Sequence, residues 1–175
     1  MIAADLIEGI YRDRLLSPRG EVVFDSGWRS NMIVMRCRVL LAGFMKNEAS
    51  ARGIQSMKVG RGDAAWDNLA QPPKPDPNTL NQLVDNAPFV IALANLDLKY
   101  LAPNDTPVLV PTNRLQITAT LGPNQPTPGA DPFPLREFGL FGQMNGTEFM
   151  IDYIRHPLVE KDSLMTLERK VRLVF

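Results

Sequence analysis

The chain has 175 residues, enough for one domain with a sizeable core and too few for two comfortable ones. Nineteen basic residues balance nineteen acidic ones, against a nucleic-acid partner bound through phosphate neutralisation. A single cysteine excludes an intrachain disulfide and, with a single histidine, argues against a zinc site of the usual His/Cys kind.

Taken in order, residues 1–16 place Leu6, Ile7, Ile10, Tyr11 and Leu15 at helical spacing, with Asp5 and Glu8 early and Arg12 and Arg14 late, as the helix dipole favours. The segment reads as an N-terminal helix, with a strand as the alternative, packed on its own domain. It also reads as an arm docking on a neighbouring subunit. Its charges do not suit a secretory signal. Residues 17–20 form a turn, and residues 21–25 a short strand.

The clearest helix is expected over residues 31–46, capped by Ser30 or Asn31. Its stripe is Ile33, Val34, Cys37, Leu40, Leu41, Phe44 and Met45, which makes Cys37 a small core residue and not a nucleophile. A strand over 54–59 runs into Gly60-Arg61-Gly62-Asp63, a tight turn lacking the remaining residues of a phosphate-binding loop. Trp66 reads as a lid over the core. The proline-rich run 72–77 is a stiff loop, and Thr79 is placed to cap a brief turn through Leu80 and Leu83.

Residues 88–101 read as one long strand, apolar on both faces and buried between layers. Residues 112–121 alternate as a second, and residues 122–134 form an exposed Pro/Gly-rich loop. A strand at Leu135–Gly142, an Asn145-Gly146 turn and a strand at Glu148–Arg155 make a hairpin. The last strand, 165–175, puts Met165, Leu167, Arg169, Val171, Leu173 and Phe175 on one face. Arg169 is the lone polar residue there, its stem on apolar surface and its head expected in water.

The pattern predicts a mainly β fold: an antiparallel β-sandwich with one core amphipathic helix and an N-terminal helix. Residues 1–16 are the arm or helix and 17–175 a single sandwich domain. No residue set stands out as catalytic, cofactor-binding or metal-binding. His156 reads as a turn or surface histidine, with Asp152 too far along the strand to serve it. The interaction candidates are Leu6, Ile10, Tyr11, Leu15, Trp28 and Trp66, the two tryptophans being the rings a sugar could stack on. No membrane span is expected.

The ordered set Gly27-Trp28-Arg29-Ser30-Asn31-Met32-Ile33-Val34, then Ile54-Gln55-Ser56-Met57-Lys58-Val59-Gly60-Arg61-Gly62, then Leu135-Arg136-Glu137-Phe138-Gly139-Leu140-Phe141-Gly142 resembles bacteriophage tail proteins and those of contractile injection systems. The Arg-Glu-Phe-Gly-Leu-Phe run is similar to the Arg-Glu-Ile-Gly-Leu-Phe run of tail-fibre and baseplate-associated proteins. The likeness spans about Gly27 to Phe175. It implies a structural part without catalytic residues or cofactors, in a virion or injection particle assembled in the host cytoplasm. Its implied partners are copies of itself and other tail or baseplate proteins. A carbohydrate- or receptor-binding module for a host-surface glycan is the alternative.

Overall fold

The computed structural model describes residues 7–126 and 131–175. Two antiparallel sheets face each other. In the first, β2 (Val22–Asp25), β1 (Glu8–Leu16), β12 (Thr166–Val174), β9 (Arg114–Leu121), β7 (Leu96–Leu101) and β8 (Pro107–Val108) lie in that order, with β3 (Arg29–Ser30) also pairing with β1. The second has the order β4 (Met32–Ile33), β11 (Thr147–Lys161), β10 (Phe133–Met144), β5 (Arg52–Gly60), β6 (Phe89–Ala92). This is the expected sandwich with one helix, α1 (Met35–Met45).

The closing strand behaves as its alternation predicts: Leu167, Arg169, Val171 and Leu173 are buried, each opposite an apolar residue of β9. Asn145 and Gly146, both at positive φ, turn β10 into β11. The core between the sheets includes Tyr11, Leu15, Ile117, Leu135, Phe138 and Ile154. A second cluster of Val34, Leu83, Phe141, Met150 and Tyr153 packs with Met32 and Leu80, where the irregular stretch before β6 crosses the second sheet.

From residue 8 the N-terminal stretch takes the strand alternative and not the expected helix; residues 1–6 lie outside the described residues. Residues 8–16 form β1, paired with β12 from Glu8↔Val174 to Leu16↔Thr166. Its burial has period two, with Tyr11, Asp13 and Leu15 inward. Residues 7, 11 and 15 satisfy a helical spacing and an alternating one equally, and a charge at 13 hides the alternation.

Helix α1 also starts later than expected. Residues 29–30 and 32–33 are spent on β3 and β4, with Asn31 between them, so neither Ser30 nor Asn31 caps the helix. Val34 takes that position without a side-chain cap, and the Met35 amide donates to the Pro77 carbonyl at 3.0 Å. Cys37, Leu40 and Gly43 face the core, whereas Phe44 and Met45 are exposed. Gly142 of β10 permits the approach: a Cβ there would lie 2.6 Å from Leu40 Cδ2.

The expected single strand over 88–101 is two. β6 belongs to the second sheet and β7 to the first, with a 3₁₀ turn at Leu93–Asn95 carrying the chain between layers. Its two-sided apolar character therefore reflects a change of sheet. Strand β11 continues to Lys161, past the expected end at Arg155, and β10 begins at Phe133, before the expected start at Leu135. Of the expected 122–134 loop, residues 127–130 lie outside the described residues.

Candidate functional site

Polar side chains gather at two buried places. The first lies between the sheets. Asp13 of β1 and Arg169 of β12 stand directly opposite in the ladder and point inward. Arg169 donates from Nε and Nη2 to the two carboxylate oxygens of Asp13, both at 2.7 Å, and its guanidinium sits 3.7 Å from the Phe138 ring centre. Nη2 also meets His156 Nε2 of β11 at 2.9 Å. The head expected in water thus joins both sheets.

His156 is buried mid-strand and not on a surface turn. A guanidinium can only donate, so His156 Nε2 accepts and Nδ1 carries the proton, which it donates to the Pro157 carbonyl at 2.8 Å. Burial, helped by the neighbouring Arg169 charge, lowers its pKa to about 4. Both ring nitrogens are engaged and the basic one is covered by a cation, so in this arrangement His156 does not act as a general base. Ser26 Oγ accepts from the Asp13 amide and donates to the Gly27 carbonyl, with no bond to the imidazole.

Asp152 does not join His156. It is fully buried, accepting from the Leu140 amide and from Asn31 Nδ2, each at 2.8 Å, and burial raises its pKa to about 7. Asn31 also donates its amide to the Gly9 carbonyl at 3.0 Å, so it ties β1 to β11. The Asn31 side chain packs where a Gly9 side chain would start, since a Cβ there would fall 1.9 Å from Asn31 Oδ1 and displace it.

The second place is the outer side of β10, formed by the Arg136-Glu137 pair. Glu137 accepts from the amides of Val84 at 3.0 Å and Asp85 at 2.7 Å, and from the Tyr153 hydroxyl. Burial and that hydrogen bond raise the pKa of Tyr153. Arg136 donates twice to Asp67, at 2.8 and 2.7 Å, and once to the Arg61 carbonyl at 2.9 Å. Asp85 accepts from the Arg61 amide at 2.8 Å. These bonds hold the loop after β5 against the sheet.

The interaction candidates are not brought together. Leu6 lies outside the described residues. Tyr11 and Leu15 are in the core between the sheets, and Ile10 lies half-buried on the other face of β1. Trp28 is half-buried with the Arg172 guanidinium 4.1 Å from its ring centre. Trp66 is buried beneath Arg155 at 4.5 Å, a lid as expected but over the second sheet. Cys37 is buried, and burial with the nearby Asp152 raises its pKa to about 11, the opposite of what activates a thiol. No group of three or more His, Cys, Asp or Glu among the described residues is placed to hold a metal ion. No helix among them is long and apolar enough to cross a membrane.

The surface carries what the sequence reading missed. All four residues of β2 are exposed, with Val22, Val23 and Phe24 at 45, 52 and 40%. At the opposite edge of the same sheet, Leu109 and Val110 are exposed at 99 and 71%. Short apolar runs such as Val22-Val23-Phe24 signal a strand, but sequence cannot say that its second edge is left open. Comparison with protein families, with curated proteins and with solved structures finds no match for this chain.

Proposed function

We propose that this protein is a non-enzymatic structural component of a phage tail or contractile injection particle, of the baseplate or fibre-anchoring kind. It works by self-association and by binding other tail proteins, in a particle assembled in the host cytoplasm. The open edge of β2 carries the associating part of this reading. Among the described residues the strand pairs with β1 on one side only, and it presents three exposed apolar side chains along the other edge. Such an edge is a template for another strand, and soluble monomers usually blunt it with charge, proline or a covering loop. The resemblance in the Gly27, Ile54 and Leu135 segments supports the particle. A host-surface glycan role has less support, since Trp66 is buried and Trp28 already carries Arg172 on its ring.

The experiment is sedimentation of the wild-type chain and of Val23→Lys, alone and with candidate tail partners. The wild type should associate, and the lysine variant should be folded by circular dichroism yet associate more weakly. A wild type that stays monomeric and binds no tail protein would sink the reading.

A further inference from the structure

Helix α1, β7 and the end of β12 enclose an apolar cleft of about 330 Å³ where the two sheets part. Cys37 and Leu173 are buried in its lining, and Phe44, Leu98, Tyr100 and Phe175, each 36–40% exposed, stand at its mouth. No charged side chain lines it. A cavity of about 150 Å³ already accepts a benzene-sized group, so this one has room for more than one aliphatic side chain.

The connection between β7 and β9 supplies a matching knob. Leu109 and Val110 stand between Pro107 and Pro111, which restrict the backbone on either side. The base of the connection is pinned. Ala102 donates its amide to the Thr106 carbonyl at 2.8 Å, and Thr112 Oγ1 donates to the Leu101 carbonyl at 2.9 Å. Asp105 forms ion pairs with both Arg114 and Arg172. The tip is thus presented by a held loop, which limits the ordering lost on docking. Residues 106–113 contain no charge, so neither surface would strand an ion on contact. Leu109 is 99% exposed and therefore does not fill the cleft of its own chain.

We infer that Leu109 and Val110 of one copy insert into the cleft beneath α1 of another. This rests on the self-association reading and names a second contact for it, at the edge of the sheet opposite β2. Knob and hole are different patches, so copies pair reciprocally about a two-fold axis or repeat head to tail.

The test uses three preparations of the full chain: wild type, Leu109→Ser with Val110→Ser, and a disulfide-trapping mixture. The mixture combines Leu109→Cys with Phe44→Cys, each carrying Cys37→Ala so that the native thiol is absent. Both introduced thiols replace exposed side chains, so folding should survive. Under mild oxidation the mixture should give a disulfide between the two variants, seen on a non-reducing gel and beyond what either gives alone. The serine variant should lose at least about tenfold in association constant by sedimentation. An unchanged constant together with no mixed disulfide overturns this contact while leaving association through β2 standing. A wild type that does not associate, with itself or with tail partners, removes both.

Discussion

The two interiors of this molecule bury carboxylates in different company. Between the sheets, Asp13 is held by a guanidinium from the adjacent strand, and the same guanidinium reaches across to His156 on the facing sheet. On the outer side of β10, Glu137 is held mostly by backbone amides of a segment without regular structure. The difference follows from what each partner segment lacks. β1 and β12 already satisfy one another's backbone through the ladder at Asp13, so that carboxylate takes a side-chain donor, whereas Asp152 reaches the Leu140 amide where the β10–β11 register shifts. The residues around Val84 have no ladder, and a carboxylate on a rigid strand supplies the acceptors they need. One arrangement joins sheets, and the other fastens a loop.

The largest expected effect comes from breaking the first. Arg169→Met leaves Asp13 buried without its cation, which should cost about 3–5 kcal/mol in denaturant unfolding. Adding Asp13→Val should recover much of that loss, because an apolar pair needs no compensating charge. If the single variant unfolds at the wild-type denaturant concentration, the pair does not carry the burial ascribed to it.

Glu137→Gln should act more locally. Losing the charge weakens the bonds to the amides of Val84 and Asp85, an effect of about 1–3 kcal/mol. Hydrogen exchange should quicken at those two amides and leave the β1–β12 ladder unchanged. Equal acceleration in both places would mean that the loop and the sandwich open as one unit.

The smallest net effect is a pair of opposed pH dependences that offset one another in the wild type, both within the sandwich. Asp152 has a folded pKa raised to about 7, so its protonated form is favoured by folding. Its contribution is present below the unfolded value near 4 and is lost as pH rises from about 4 to 7, on the order of 4 kcal/mol in all. His156 has a folded pKa lowered to about 4, so its contribution is present above about 6.5 and is lost as pH falls towards 4, on the order of 3 kcal/mol. Across their shared window the two slopes largely cancel. Relative to wild type, Asp152→Asn should therefore gain stability as pH rises from 4 to 7, and His156→Gln should lose it. Stability curves for both variants parallel to wild type would refute both assignments.

Alternation and turn chemistry by themselves determined the closing strand, the Asn145-Gly146 hairpin, the sandwich class and a central helix, because each is written in neighbouring residues. The buried cluster was not legible, and the reason is specific. Asp13 interrupts the alternation of β1 and Arg169 that of β12, so each strand alone shows a polar residue on an apolar face. Only strand pairing puts the two opposite each other, where each explains the other. The same holds for His156, whose place in the middle of a strand depends on β10 extending the ladder past Arg155. Tertiary structure alone likewise decided that residues 88–101 change sheets, and that β2 and the Leu109 loop stand at opposite edges, uncovered by the other described residues. Burial and exposure at those positions depend on residues far away in the chain, and local pattern carries no record of them.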